Sequence, residues 1–254
     1  MIPSPALLTS VAVVAAAVVA PVAPEQKEFV PPVAKSAGER ADERRRMVER
    51  QIEKPADGRT PVTDRRVIEA MVAVPRHAFV PPELRRRAYA DSALPIGRGQ
   101  TISQPYIVAL MTEHLRVTPD SRVLEVGTGS GYQAAVLAHL TPHVYTIEIV
   151  EELAKAAARD LAAQGYASVR TRAGDGYQGW PEHAPFDAII VTCAPEKLPE
   201  PLWQQLKPGG RIVIPVGPAD RVQQLVVVSK TEDGKRRTQT VTDVQFVPMT
   251  REER

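Results

Sequence analysis

The sequence predicts an α/β protein built on a doubly wound, mostly parallel β-sheet, and three observations predict it. Short β-branched apolar runs alternate with helical stretches from residue 122 to residue 247. A glycine-rich turn, residues 127–131, directly follows the first of these runs and precedes a helix, as in sheets that bind nucleotide-like ligands. The pair Asp233-Gly234 between the last two runs is a hairpin signal, so the sheet should end in antiparallel strands.

A helical cap and a loop are predicted before the sheet, over residues 39–120. Residues 39–54 are charge-dense and rich in good helix formers, and the acidic residues among the arginines favour a solvated helix face over a nucleic-acid contact. A second helix is predicted from an N-cap at Thr63 to a stop before Pro75. A proline-punctuated loop then leads to a third helix that begins at Pro105.

Residues 121–254 are predicted to form the sheet itself. Three helices connect its strands, at Tyr132–Leu140, Glu151–Gln164 and Leu198–Leu206, and a Lys-Pro-Gly-Gly turn at residues 207–210 ends the last of them. The candidate strands are Arg122–Val126, Val144–Glu148, Ser168–Ala173, Asp187–Cys193, Arg211–Val216, Gln223–Ser229 and Thr240–Val247.

Length, charge and cysteine content exclude several classes of protein. The 254 residues suffice for one large domain or two modest ones. With 32 Lys+Arg against 30 Asp+Glu, the net charge of +2 gives no global reason to expect a nucleic-acid partner. The single cysteine cannot form an intrachain disulfide, and the histidines lack thiolate companions for a structural zinc site, so we expect no metal.

The first 38 residues form an apolar, proline-rich head that carries no charge from Ala6 to Ala20. This run is shorter than the ~20 residues of a membrane-spanning helix. It is closer to the apolar region of a secretory signal with cleavage near Ala20 or Ala23, although no Lys or Arg precedes it. Two interpretations stay open: export or anchoring through residues 1–23, and a disordered extension or misassigned start codon.

The spacing of the glycines indicates which ligand the turn suits. A dinucleotide fingerprint would need a glycine where Tyr132 stands, and a P-loop would need a Gly-Lys-Ser/Thr that the turn lacks. The turn instead resembles the first motif of S-adenosylmethionine-dependent methyltransferases, which begins with an acidic residue and continues into glycines. Its members here are Glu125, Gly127, Thr128, Gly129 and Gly131.

Two further acidic residues follow the next two strands. Glu148 closes the second strand, where a carboxylate can accept hydrogen bonds from both ribose hydroxyls. Asp175 lies after the third strand and can accept from an adenine amine, while its neighbour Gly176 admits the flat ring. Taken alone, each of these acidic residues could equally be a helix N-cap or a loop residue and not a cofactor contact. Together with Glu125 they predict an adenosine-bearing cofactor at one edge of the sheet.

A narrower resemblance rests on four blocks: Gly-x-Gly-x-Thr-Ile-Ser-x-Pro at residues 97–105, Gly-Asp-Gly at 174–176, FDAIIVTCAPEKLPEPLWQQLKPGGRIVIPVG at 186–217 and VQFVPMT at 244–250. Together these resemble the protein-L-isoaspartate O-methyltransferase family across residues 39–254. The resemblance implies a Rossmann-like methyltransferase domain, with a helical cap and substrate loop at 39–120 and a cofactor-binding sheet at 121–254. It also implies S-adenosylmethionine as cofactor, with S-adenosylhomocysteine as product and no metal.

The activity implied is methylation of the free α-carboxylate of L-isoaspartyl residues in damaged proteins and peptides, a repair reaction. Such a carboxylate, with a pKa near ~3.5, is already ionised at neutral pH, so the reaction needs no general base. The resemblance marks Ser103 as the active-site serine and Thr250 as a cofactor contact. Tyr106 stands where some relatives carry His. The implied lid over the cofactor consists of Thr101, Ile102 and Gln104.

Alternative functions belong to other classes. A nicotinamide dehydrogenase is disfavoured by Tyr132, and a nucleic-acid methyltransferase by the near-neutral charge and by Thr-Cys-Ala-Pro at residues 192–195. A non-catalytic cofactor-binding module would have lost Ser103 or the acidic strand ends. A methyltransferase with a small-molecule acceptor is a further alternative.

Two other candidate sites are rejected. Cys193 is interpreted as a strand residue and not as a nucleophile, because no histidine partner is placed beside it. His139 and His143 have metal-ligand spacing, but Pro142 breaks the helix that would align them. A monomer is expected, working in the cytoplasm where the cofactor is made. Membrane contact would require the head to be an anchor.

Overall fold

The computed structural model describes Met1 and residues 29–251. In this part of the chain, seven strands form one sheet, and two short strands form a separate hairpin. The hairpin consists of β1 (Leu94–Gly97) and β2 (Gln100–Ile102). The strands of the sheet are β3 (Val123–Val126), β4 (Val144–Glu148), β5 (Arg170–Ala173), β6 (Phe186–Val191), β7 (Leu206–Val216), β8 (Gln223–Lys230) and β9 (Arg236–Val244).

The order of strands in the sheet is β5-β4-β3-β6-β7-β8-β9. The first five run parallel, and β8 and β9 are antiparallel, which confirms the predicted doubly wound sheet with an antiparallel edge. The chain winds outward from β3 to β5, then returns to β6 on the other side of β3. The carboxyl ends of β3, β4 and β6 therefore flank a topological switch point, where open α/β sheets bind ligands.

The helices cover both faces of the sheet. Because side chains alternate along a strand, Val123 and Ile190 lie in the core shared with the cap, while Leu124 and Ile189 lie in the core shared with the last helix. β3 and β4 are buried throughout, as expected of central parallel strands. The helices are α1 (Ala41–Met47, continued by a π-helical turn at Val48–Glu53), α2 (Arg65–Ala73), α3 (Pro105–Leu115), α4 (Tyr132–Ala138), α5 (Glu151–Ala163) and α6 (Glu200–Gln205).

The residues just before α1 contact the catalytic part of the chain. Ala34 is buried, the amide of Lys35 donates to the carbonyl of Gln164 at 3.2 Å, and the Ser36 hydroxyl donates to Gln164 Oε1 at 2.6 Å. The division at residue 38 between head and catalytic domain stays a prediction. The predicted signal or anchor lies almost wholly outside the described residues.

The N-cap of α2 is Asp64 and not the predicted Thr63. Asp64 Oδ1 accepts from the amides of Arg66 at 2.9 Å and Val67 at 3.4 Å. The backbone amide of Thr63 instead donates a hydrogen bond to Glu113 Oε1 of α3 at 2.6 Å. The N-cap differs from the prediction because Thr63 binds a carboxylate that is distant in the sequence, and capping rules consider only neighbouring residues.

The last strand begins and ends earlier than predicted, at Arg236–Val244 and not Thr240–Val247. Beyond Val244 the chain leaves the sheet and crosses the end of β6. The amide of Ala194 donates to the carbonyl of Val247 at 2.8 Å, and the amide of Met249 donates back to the carbonyl of Ala194 at 2.9 Å. The VQFVPMT block therefore follows the sheet edge toward the switch point.

Two other strand boundaries also differ from the prediction. β6 ends at Val191, before Cys193, because Thr192 turns its hydroxyl onto the carbonyls of Val126 and Gly127. β7 begins at Leu206, but residues 207–210 bulge out between the pairs Phe186–Leu206 and Ala188–Arg211, with Gly209 at φ +77°, where the turn was predicted. The remaining strands and helices of the sheet region agree with prediction within two residues. Among the described residues, no helix combines the length and apolarity needed to span a membrane.

Candidate active site

A cleft with an empty volume of about 840 Å³ opens at the carboxyl ends of β3, β4 and β6. Its walls include most of the residues singled out in the sequence: Thr101, Ile102, Ser103, Glu125, Gly127, Thr128, Gly129, Glu148, Gly176 and Thr250. Three others, Gln104, Gly131 and Asp175, are not part of its lining.

Gly127 forms the floor of the cleft because no side chain fits there. Its φ of +100° is in the region that favours glycine, and a Cβ would collide with Thr192 Oγ1. That hydroxyl donates to the Gly127 carbonyl at 2.6 Å, so the loop is closed against the end of β6. Gly131 acts differently, since it caps α4 with φ +86° and packs against Leu161 of α5.

Glu148 joins the end of β4 to the glycine-rich loop. Its Oε2 accepts from the amide of Gly129 at 2.8 Å, and its Oε1 accepts from the amide of Val150 at 3.0 Å. A carboxylate oxygen has two lone pairs, so each oxygen can still accept a hydroxyl from a ligand in the cleft. Beneath this loop, Thr128 and Thr146 share a hydrogen bond of 2.6 Å.

Glu125 is the most unusual residue of the cleft. It is completely buried, and neither carboxyl oxygen has a hydrogen-bond partner among the described residues. Burial, reinforced by the charge of Glu148, raises its pKa to about 8, and the nearby Thr146 hydroxyl offsets this only in part. At neutral pH Glu125 is therefore mostly a neutral acid. A cationic group in the cleft would favour its ionised form.

Asp175 and Gly176 lie at the end of β5. Asp175 caps a short 3₁₀ turn, its Oδ1 accepting from the amide of Tyr177 at 2.8 Å. Gly176 is buried against Val126, where a Cβ would collide with Cγ1, and it lines the cleft. The structure thus gives Asp175 a capping role and gives Gly176 the place beside the cleft.

Ser103 lies half-buried where the β1–β2 hairpin meets α3. The hairpin covers the glycine-rich loop, with Ile96 beside Gly129. Gln104 turns away from the cleft, because its side-chain amide donates to Asp91 Oδ1 at 2.8 Å. The predicted lid therefore includes Thr101 and Ile102 in the cleft wall but not the Gln104 side chain.

Sequence reasoning missed several wall residues. Gln133 is a buried polar side chain in an otherwise apolar helix, and it donates to the Thr112 hydroxyl at 2.9 Å. A polar residue within this apolar helix could have marked Gln133 as a candidate site residue from the sequence. No local pattern marked the others, because they reach the cleft only through folding of distant segments. They include Val108, Met111 and Ile147; Val247, Pro248 and Met249 also line the cleft, and they belong to the VQFVPMT block.

The side chains described around the cleft offer no activated thiol. Cys193 lines the cleft, but burial raises the pKa of its thiol to about 12, so it is not a thiolate nucleophile at neutral pH. α4 ends at Ala138, before His139, so no helix aligns the two candidate histidines. Among the described residues, no group of three or more His, Cys, Asp or Glu side chains could hold a metal ion.

The sheet topology, the glycine-rich loop and the acidic cleft define a Rossmann-like methyltransferase. The family model described as protein-L-isoaspartate(D-aspartate) O-methyltransferase matches residues 47–254, well over half of the chain. The chain belongs to the protein-L-isoaspartate(D-aspartate) O-methyltransferase family.

Individual relatives agree with this assignment. A protein-L-isoaspartate O-methyltransferase of Opitutus terrae is 57% identical over 213 residues, covering 84% of this chain and 89% of the relative. One from Gloeobacter violaceus is 59% identical over 186 residues, covering 73% of this chain and 90% of the relative. The predicted family and enzyme class are thereby confirmed.

Solved structures show the same fold. A protein-L-isoaspartate O-methyltransferase with 29% identity superposes with a TM-score of 0.66 over 74% of this chain, which spans 61% of that longer chain. A Plasmodium falciparum structure, described as such an enzyme in complex with S-adenosyl-L-homocysteine, superposes with a TM-score of 0.71 at 24% identity. It covers 82% of this chain and 99% of its own, and it supports the fold alone.

Proposed function

We propose that this chain transfers a methyl group from S-adenosylmethionine to the free α-carboxylate of L-isoaspartyl residues in damaged proteins and peptides. The observation that carries this is the presence of Ser103 in the same cleft as Glu125, Gly127 and Glu148. One side of the cleft thus offers a hydroxyl suited to a carboxylate acceptor. The other side offers the acids and bare backbone suited to an adenosine-bearing cation.

The residues present fit the cofactor. The orphaned carboxyl of Glu125 would gain a cationic partner, and the oxygens of Glu148 have lone pairs left for ribose hydroxyls. Gly127 and Gly176 both line the cleft, where a Cβ would collide with Thr192 and Val126 respectively. Thr250 and Thr101 would close the site from the surface side. Asp175 caps the turn beside Gly176 and lies outside the cleft lining, so its contact with the adenine stays a prediction.

When bound, the cofactor supplies a methyl group made electrophilic by a sulfonium centre. The acceptor carboxylate is already an anion at neutral pH, so no residue of the chain has to remove a proton from it. Ser103 donates a hydrogen bond to one acceptor oxygen and thereby orients the other toward the methyl carbon. Ile102 and the hairpin exclude water, which strengthens these interactions. Cys193 remains a neutral thiol and takes no part.

The test is transfer of labelled methyl groups to two synthetic peptides that differ only in an isoaspartyl or aspartyl linkage. We expect labelling of the isoaspartyl peptide alone, in an ester that is lost in mild base. Equal labelling of both peptides, or of neither, would refute the proposal. Adding a nucleic acid or a small carboxylic acid as acceptor in parallel distinguishes the other methyltransferase classes.

We also propose that the enzyme works as a monomer in the cytoplasm, where S-adenosylmethionine is made. The alternative is export or anchoring through residues 1–23. Mass spectrometry of the mature N-terminus tests cleavage, fractionation tests location, and light scattering of the purified full chain tests the oligomeric state. A cleaved N-terminus in an exported fraction, or a dimeric mass, would contradict the corresponding part.

A further inference from the structure

Arg59, Asp91 and Gln104 form a polar cluster that includes the neighbour of Ser103 in the chain and lies outside the lining of the cofactor cleft. Arg59 donates hydrogen bonds to the Asp91 carboxylate from both terminal nitrogens. Nη2 lies 2.6 Å from Oδ2, and Nη1 lies 3.3 Å from Oδ1. Gln104 donates its amide to the same carboxylate, at 2.8 Å from Oδ1. Asp91 therefore connects the loop of Arg59 to the residue that directly follows Ser103.

The Arg59 guanidinium has two further contacts besides Asp91. Asp57 accepts from Arg59 Nε at 2.8 Å, and the guanidinium lies 4.5 Å from the centre of the Tyr106 ring. The Tyr106 hydroxyl donates to the carbonyl of Thr60 at 2.9 Å, which ties α3 to the same loop. A planar guanidinium held by two carboxylates and a ring is a rigid anchor. The cluster thus has a fixed base from which Asp91 reaches Gln104.

Ser103 depends on its neighbours for its orientation. It is half-buried and lines the cleft. On one side Ile102 is buried in the core, and on the other Gln104 is tethered to Asp91. With both flanking residues fixed, the backbone of Ser103 is fixed as well, and its hydroxyl points from a defined position in the cleft wall.

The cluster is poorly suited to a purely stabilising role. The Asp91 side chain is 36% exposed, and ion pairs in contact with solvent usually contribute little to stability. A misplacement of ~1 Å at a catalytic group, in contrast, can lower a rate by about a hundredfold. Losing this cluster should therefore change catalysis far more than unfolding.

We propose that Asp91, anchored by Arg59 and acting through Gln104, is a positioning residue for Ser103. The proposal rests on the proposed function, in which Ser103 contacts the acceptor carboxylate. It assigns a role to Gln104 that differs from the cofactor contact implied by family resemblance. None of the three side chains touches the cofactor cleft, so the effect is transmitted through the backbone of residues 103 and 104.

The test is a double-mutant cycle on kcat/KM for an isoaspartyl peptide. Asp91→Ala and Gln104→Ala are each measured alone and in a Ser103→Ala background. Alone, each should lower kcat/KM by roughly ten- to a hundredfold. In the Ser103→Ala background each should cost less than about twofold, because the hydroxyl that they position is gone. Affinity for S-adenosylhomocysteine and the melting temperature should stay close to the parent values.

The matched control is Asp233→Ala, which removes an exposed carboxylate paired with Lys235 at 2.7 Å in the β8–β9 turn. It should leave activity and stability unchanged. If Asp91→Ala lowers activity equally in both backgrounds, or leaves it at the parent level while Ser103→Ala is impaired, the positioning role is wrong. If Ser103→Ala itself has parent activity, the proposed function of Ser103 fails instead. Should Asp91→Ala not fold, Gln104→Ala and Arg59→Lys decide by the same readout.

Discussion

The Oε2 atom of Glu148 accepts a hydrogen bond of 2.8 Å from the backbone amide of Gly129. This bond joins the end of β4 to the glycine-rich loop that follows β3. Because the other oxygen accepts from Val150, the carboxylate is held by backbone groups on both sides. A residue predicted only as a ligand contact therefore also builds the loop that forms the ligand site.

Replacing Glu148 with Gln should damage both roles. An amide NH₂ can only donate, so it would face a backbone N–H that now has no acceptor. We expect affinity for S-adenosylhomocysteine to fall by roughly ten- to a hundredfold, measured by calorimetry. The control is Glu151→Gln, an exposed residue at the start of α5 that pairs with Lys155. Parent-like affinity in Glu148→Gln would show that the carboxylate is dispensable.

Replacing Ser103 with Ala should reduce the rate without weakening cofactor binding. Losing one hydrogen bond to an acceptor carboxylate costs ~1–3 kcal/mol, which is about 5- to 150-fold in kcat/KM. Ser229→Ala on β8, outside the cleft, is the control. Steady-state kinetics on an isoaspartyl peptide measure the change. Unaltered turnover would remove Ser103 from the mechanism.

Glu125 should make the stability of the ligand-free protein depend on pH. Its pKa is raised from 4.5 to about 8, so between these values the folded protein holds a proton that the unfolded chain releases. The contribution of this group to the free energy of unfolding therefore falls as pH rises through that window. Glu125→Gln cannot ionise and should lack this fall.

The measurement is the melting temperature of both proteins from pH 5 to pH 8.5 without cofactor. Relative to the parent, Glu125→Gln should become more stable as pH rises, by a few kcal/mol in the free energy of unfolding at most. The exposed Glu196→Gln serves as control. A difference that stays constant with pH would mean that Glu125 is ionised throughout.

Replacing Gly176 with Ala should destabilise the protein and weaken cofactor binding. The added Cβ would collide with Val126, a core residue of β3 that cannot move freely. We expect a loss of ~1–3 kcal/mol in unfolding free energy by denaturant titration. Gly38→Ala, with nothing within 4 Å of its added Cβ, is the matched control. Equal stability of the two variants would show that the space beside Val126 is not limiting.

Two truncations test the predicted boundary between the head and the catalytic domain. The cleft is lined by residues 100–250 among those described, so variants lacking residues 2–28 or 2–38 should both remain active. The longer deletion also removes Ala34 and the contacts of Lys35 and Ser36 with Gln164, so it should melt a few degrees lower. Loss of activity in the shorter variant would assign the head a catalytic role.

Local sequence was most informative where the physical cause is local. Buried parallel strands need continuous apolar runs, and β3 and β4 were therefore found almost to the residue. Gly127 was found because a turn with positive φ needs glycine. Prediction failed where a distant partner decides, as at Thr63, whose amide is engaged by Glu113, and at the last strand, which is redirected by its bonds to Ala194.

The sequence by itself determined the sheet class, the family and most of the residues around the cleft. These follow from periodicity, glycine placement and motif, which are properties of contiguous residues. Only the tertiary structure decided that Glu125 is buried with no hydrogen-bond partner among the described residues, and that Gln104 binds Asp91 outside the cleft lining. Desolvation and hydrogen-bond pairing depend on which distant segments meet, and no local pattern encodes that.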